Sequence, residues 1–338
     1  EQAFRDVPSG VVASGAIAKL SRKQLEEVLV KGAAWAIEQG YGRPADLKHT
    51  EDGGAIDGAD PATVSERAYA RGRDQVGTLG SGNHFLEFQV VDEVFDPKAA
   101  AVYGLDQGQV VIMVHCGSRG LGYQVCEDYL QVMASASSRY HIQIPDRQLA
   151  CAPVRSAEGK RYLSAMACAA NYAWANRQLL MHRARTILTE ILAPRFKHFH
   201  LALIYDIAHN IAKIEEHVIN GQRMKVIVHR KGATRSFGPG NPRLPDDYQA
   251  AGQPVLVPGD MGTASYLLVG TTEAAEKSFS STCHGAGRVM SRRAAKRKAR
   301  GEDVQRALAQ EGITVRGPWK GLAEEAPYAY KDIDRVVN

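Results

Sequence analysis

Cysteine is scarce: five residues in 338, an odd number with no framework spacing. That excludes a disulfide scaffold and fits reduced thiols inside a cell, so the cytoplasm is the expected compartment. No stretch approaches the roughly 20 continuous apolar residues of a membrane-spanning helix, and the first residues show no signal-peptide pattern. Neither GxxxxGK[ST] nor a strand-linked GxGxxG occurs, which removes the two usual nucleotide-binding folds. HExxH and CxxC are missing too, so no local motif announces a metal. Regular βαβ alternation and fixed-period repeats are likewise absent.

What is present is an ordinary globular composition, 44% hydrophobic and 23% charged, long enough to bury a substantial core. The formal net charge is a mild +5. Basic residues nevertheless concentrate at Arg288, Arg292, Arg293, Lys296, Arg297, Lys298 and Arg300. Such a run is either a solvated helix face or the place where a polyanion touches.

Ser21 reads as the N-cap of a helix whose apolar stripe, Leu25, Val28, Leu29, Ala33, Ala34 and Ile37, stops near Gly40. A glycine-rich loop follows to about Gly77, interrupted by a short helix from Pro61 to Arg71. Strands are expected before Val91 and over Gln109–His115, with a helix after Gly122. Tyr162, Met166, Ala169, Ala173, Leu180, Ala184, Ile187 and Ile191 mark a long helix running beneath the sheets, with Trp174 in the core. Short strands are then expected at Leu201–Tyr205, Met224–Val228, Pro254–Val257 and Tyr266–Val269, with turn chemistry at Gly238–Pro242. This order predicts an α+β fold.

Three histidines stand where apolar runs meet turns, His84 in Gly82-Asn83-His84-Phe85, His115 in His115-Cys116-Gly117-Ser118-Arg119-Gly120 and His209 in His209-Asn210, and a fourth, His284 in Cys283-His284-Gly285-Ala286-Gly287-Arg288, lies between small residues and the basic stretch. Strand ends converge on sites, and neutral imidazoles ligate manganese, zinc and iron, so His84, His115 and His209 could form a metal centre. Each could equally be a hydrogen-bonded core residue. His284 is either a nucleophile beside a phosphate site, with glycine backbone N–H groups and Arg288 and Arg292 nearby, or the cap of a tight turn.

Taken in order, Gly77-Thr78-Leu79-Gly80-Ser81-Gly82-Asn83-His84-Phe85, His115-Cys116-Gly117-Ser118-Arg119-Gly120, His209-Asn210, Arg230-Lys231-Gly232-Ala233-Thr234, Pro258-Gly259-Asp260-Met261-Gly262 and the segment Cys283–Arg292 resemble the RtcB-type tRNA-splicing ligases. The resemblance runs from about Phe4 to the Tyr330-Lys331-Asp332-Ile333-Asp334 segment. It implies a fold of mixed and antiparallel sheets packed with helices, one large catalytic domain over residues 1–338 that lacks part of the family's N- and C-terminal ends. The family's upstream Asp-x-x-Cys element and C-terminal Lys-Gly do not occur in these residues, and Asp260 stands where many members carry serine.

Position by position, the resemblance implies that His284 becomes guanylated and that His84, His115 and His209 ligate two manganese ions. It gives Asn83 and Asn210 to the nucleotide phosphate, Glu87, Ser265 and Tyr330 to the guanine, and Ala286 and Gly287 to the ribose. A carboxylate at Glu87 suits guanine, whose N1–H and N2–H₂ edge offers donors that adenine lacks. Arg119, Lys231, Arg288 and Arg292 would hold phosphates of RNA or triphosphate. The implied activity is GTP-dependent joining of an RNA 3′-phosphate or 2′,3′-cyclic phosphate end to a 5′-hydroxyl, in tRNA splicing and RNA repair, with an archease-type activator as a candidate partner. A manganese-dependent phosphoesterase or nuclease would use the same histidines to activate water, with His284 as general acid. A non-catalytic RNA-binding protein would explain the basic run but not the histidines.

Overall fold

The computed structural model describes residues 1–197 and 199–338. Helices, short antiparallel sheets and connecting loops confirm an α+β protein. Packing divides the chain into two compact units. The first comprises Glu1–Gly80, His84–Glu87 and Ile112–Asp206; the second comprises Ser81–Asn83, Phe88–Val111 and Ile207–Asn338. Among the described residues no helix is long and apolar enough to cross a membrane.

The first unit is mainly helical. Ser21 does cap its helix: its hydroxyl accepts from the Gln24 N–H while the Gln24 side chain accepts from the Ser21 N–H. The predicted single helix is two, Arg22–Lys31 and Ala33–Glu38, because Gly32 turns the chain at φ 57°. A Cβ there would lie 2.0 Å from the Gly54 carbonyl oxygen, so the backbones approach where no side chain fits. Pro61–Thr63 forms a 3-10 turn, with the α-helix Glu66–Gly72 after it. The next helix spans Arg119–Arg139, starting before the expected Gly122. Leu25, Leu29, Trp35, Leu121 and Tyr172 form the core.

The long helix is Ala157–Leu192, and the expectation that it supports a sheet holds over part of its length. Leu180 and Ile187 pack with Leu86 and Val114. These belong to β1, Phe85–Val90, and β2, Val110–His115, which form a two-stranded sheet. The run Leu201–Tyr205, expected as a strand, is not one. Its carbonyls find side chains instead of a ladder: Arg185 Nε donates to the Leu201 oxygen at 2.9 Å, and His49 Nδ1 lies 2.7 Å from that of Leu203.

The second unit is built on strand pairs. β3, Asn210–Ile219, and β4, Gln222–Lys231, make a long hairpin with Asn210 opposite Lys231. Its turn is Asn220-Gly221, both at positive φ, as a two-residue hairpin requires. β5, Ala233–Arg235, pairs with β8, Ser281–Cys283; β6, Pro254–Val257, pairs with β7, Tyr266–Val269. Val255, Val257, Ala286 and Ile333 form one of its cores.

Candidate active site

In the first unit, a turn leads into His84 and β2 ends on His115. The rings lie edge to face with centroids 5.7 Å apart, and Phe85 packs against His115 at 5.4 Å. Gly80 makes room for His84, because a Cβ at 80 would fall 1.6 Å from Nδ1. The buried Cys116 thiol lies 3.8 Å from that nitrogen. Glu87 is half-buried on β1. Arg119 is turned inward, with Nε donating to Thr78 Oγ1 at 3.0 Å and Nη2 to the Gly10 carbonyl at 2.5 Å.

One side chain binds these segments together. Asn176, fully buried on the long helix, accepts from the N–H groups of Gly77 at 2.7 Å and Thr78 at 3.1 Å. Its amide nitrogen donates to the carbonyls of Thr78 and Gly117, both at 3.2 Å. Next to it, Arg177 donates to the Cys116 carbonyl at 3.1 Å and to Asp206 at 2.7 Å. Sequence reading passed over Asn176, although an asparagine inside a helix signals a special partner because it otherwise disfavours that position.

In the second unit, backbone pairing brings His209, Asn210, Lys231 and His284 together. The ladder sets Asn210 opposite Lys231, and Ala233 opposite Cys283, the residue before His284. The His209 and His284 rings stack face to face, with centroids 3.7 Å apart and planes within 6°. Gly232, at φ 63°, passes beneath, where a Cβ would stand 4.0 Å from the His284 ring. Asn210 Oδ1 accepts from the Gly232 N–H at 3.1 Å, which fixes the amide and leaves its NH₂ as a donor.

The turn after His284 is set by backbone. Ala286 is buried with its N–H on the Pro258 carbonyl at 3.1 Å, and the exposed Gly287 adopts φ 74°. Ser265 Oγ accepts weakly from Gln89 at 3.3 Å and from the Gly259 N–H at 3.4 Å, keeping its own proton for a further partner. Asn83 is exposed, and Asp260, half-buried, accepts from the Gly262 N–H at 2.8 Å. Burial raises the Asp260 carboxyl above its ordinary value.

Tyr330 donates to Glu325, which also accepts from Arg288 Nη1 at 2.5 Å and Arg292 Nε at 2.7 Å. Burial and then that carboxylate push the Tyr330 phenol up to about 12, so it remains a donor at neutral pH. Behind β8, Arg230 forks onto the buried Glu215 at 2.7 and 2.9 Å and reaches Ser281 Oγ and the Phe279 carbonyl, each at 2.9 Å. Neither Glu325 nor Glu215 was singled out from sequence, since an isolated glutamate carries no pattern.

Comparison with known proteins agrees over the full length. All of residues 1–338 match the family profile described as tRNA-splicing ligase RtcB. The tRNA-splicing ligase RtcB of Archaeoglobus fulgidus is 55% identical, with the alignment covering 100% of this chain and 70% of the relative. That of Pyrococcus abyssi is 54% identical over 99% of this chain but only 36% of the longer relative. The RNA-splicing ligase RtcB of Mycobacterium bovis is 53% identical over 98% of this chain and 76% of its own length.

Proposed function

Because the chain belongs to the tRNA-splicing ligase RtcB family, we propose that it joins an RNA 3′-phosphate or 2′,3′-cyclic phosphate end to a 5′-hydroxyl, using GTP and a GMP-histidine intermediate on His284. The observation that carries this reading is the stacked pair of His209 and His284, held at the meeting of β5 and β8.

In the proposed sequence, a ring nitrogen of neutral His284 forms a P–N bond to the α-phosphorus of GTP as the bond to pyrophosphate breaks. A 2′,3′-cyclic phosphate end would first be opened by water to a 3′-phosphate; the GMP then passes to an oxygen of that 3′-phosphate, regenerating the imidazole. The 5′-hydroxyl then attacks that phosphorus, losing its proton as GMP leaves. Asn83 and the fixed amide of Asn210 would donate to the nucleotide phosphate. Glu87, Ser265 and the protonated Tyr330 would face guanine, with Ala286 and Gly287 against the ribose. Lys231 and Arg292 would hold RNA or triphosphate oxygens directly, while Arg119 and Arg288, largely committed to protein partners, would contribute positive charge.

The donor set also suits manganese. His84, His115 and His209 offer imidazole nitrogens fitted to first-row divalent ions, and the bare Cα of Gly80 is what lets the His84 ring take its place. Two bound ions would neutralise phosphate charge. Action in the cytoplasm on tRNA halves or broken RNA ends, assisted by an archease-type activator, completes the proposal.

Intact-protein mass spectrometry after incubation with GTP and manganese tests it. One acid-labile GMP adduct is expected, mapping to His284 and lost in His284→Ala. Phosphate release from RNA ends with no adduct would establish the phosphoesterase instead, and an adduct on lysine would overturn the assignment of His284.

A further inference from the structure

Two arginines four residues apart, both candidates for phosphate, are used by the protein in opposite ways. Arg288 is spent: Nε donates to the Met290 carbonyl at 3.1 Å, Nη2 to the Glu324 carbonyl at 2.7 Å, and Nη1 to Glu325 at 2.5 Å and Tyr330 Oη at 3.1 Å. Four of its five N–H donors are consumed. Among the described residues Arg292 gives up only Nε, to Glu325 at 2.7 Å, so the four N–H donors of its two terminal nitrogens stay open there. Its side chain is 52% exposed, whereas that of Glu325 is 8% exposed. The open end lies beside Gly82, where a Cβ would come within 3.2 Å of Nη2, and next in sequence stands Asn83.

We propose that Glu325 is a positioning residue for phosphate capture: its carboxylate ties Arg288 and Tyr330 into the frame and, through Nε alone, aims the fork of Arg292 at an incoming RNA 3′-phosphate. A guanidinium held at Nε loses the rotation that an exposed arginine would otherwise have to surrender on binding. This rests on the ligase reading and adds a residue to it that does not itself touch substrate.

The two carboxylate oxygens have unequal duties, which gives the test its direction. Oε2 takes two donors, Arg288 and Tyr330, while Oε1 takes Arg292. In Glu325→Gln the single amide oxygen satisfies more donors at the Oε2 position, so the NH₂ falls at the Oε1 position and meets Arg292 Nε donor to donor. Arg292 is therefore the partner released, and Arg288 keeps its place.

The experiment measures binding by fluorescence anisotropy of one short labelled RNA with a 3′-phosphate and the same RNA with a 3′-hydroxyl, without GTP. The unmodified chain, Glu325→Gln, Arg292→Ala and the double variant are compared, with thermal melting as the control for folding. We expect Glu325→Gln to weaken 3′-phosphate binding about tenfold, with little change for the hydroxyl end, as loss of a charge-assisted contact implies. The same substitution should add almost nothing once Arg292 is alanine. An equal loss in both backgrounds, or none, would overturn the proposal. If the unmodified chain does not prefer the phosphorylated end, the ligase reading falls first and this with it; if it does and Glu325→Gln retains that preference, only the role of Glu325 fails. Should Glu325→Gln unfold, Arg292→Lys serves, because lysine keeps the charge but offers no Nε to hold. Binding as tight as the unmodified chain would overturn the proposal, and a tenfold loss would support it.

Discussion

In the first unit the segments before His84 and after His115 are held by a neutral amide, Asn176, which takes two backbone N–H groups and gives to two carbonyls. In the second, the strand leading to His284 is held by charge: Arg230 joins the buried Glu215 to Phe279 and Ser281. Both devices satisfy the same need, since buried backbone groups and loop ends must find partners. They differ in what can undo them. An amide is indifferent to pH and salt, whereas a carboxylate and guanidinium taken out of water remain stable only as a pair.

The largest effect should come from breaking that pair. Arg230→Leu leaves Glu215 charged and buried, and should destabilise the protein by about 3–5 kcal/mol in urea unfolding. Replacing Glu215 by leucine as well should recover most of the loss. Burial by itself would raise the Glu215 carboxyl, but Arg230 and then His217 outweigh it, and the net shift is downward from 4.5. A depressed folded-state value means that the contribution is complete above the unfolded value of 4.5 and is lost as pH falls through the lower folded value. The penalty of Arg230→Leu should therefore shrink on acidification through that window. A pH-independent penalty would show that packing, not charge, holds β8.

Asn176→Ala should cost less, about 1–3 kcal/mol, the range for buried polar groups left unsatisfied. The loss should be the same across that acidic window and at high salt. It should also loosen both of these segments, read as faster amide hydrogen exchange at Gly77, Thr78 and Gly117. Unchanged exchange there would mean that Asn176 is a passenger, and the contrast between the units would fail.

The same contrast explains what could be read in advance. β6 and β7 were legible to the residue because their apolar runs, buried in β6 and half-buried in β7, are bounded by turns. β3 was not, because its pattern is inverted: Lys213, Glu215 and His217 face inward while Ile214 and Val218 are exposed. A polar face buried by mutual pairing looks like a surface face in sequence. Asn220-Gly221 was the signal that could have revealed the hairpin. Leu201–Tyr205 erred the other way, an apolar run whose carbonyls are taken by Arg185 and His49. The histidines could be named from their motifs. The residues that hold them, Asn176, Arg230 with Glu215, and Glu325, became visible only as partners, because their meaning lies in contacts 15 to 99 residues away along the chain.

The smallest expected effect separates free from committed charge within the second unit. In the helix Arg292–Lys298, Lys296 pairs with Glu324 at 2.8 Å, while Arg297 is exposed and makes no ion pair among the described residues. If this helix lies along RNA, each cation that replaces a counterion on a single strand contributes about 0.7 to the slope of log affinity against log salt. Arg297→Ala should lower the slope by roughly that amount. Lys296→Ala should lower it much less, because Lys296 and Glu324 already neutralise each other and their pair brings no net charge to the phosphates. Neither substitution should alter formation of the GMP adduct, because both residues lie beyond the turn that carries His284. Affinities titrated over a series of salt concentrations give both slopes directly. Equal decreases would mean that Lys296 leaves Glu324 when RNA binds, and no decrease in either would make the basic run a solvated face.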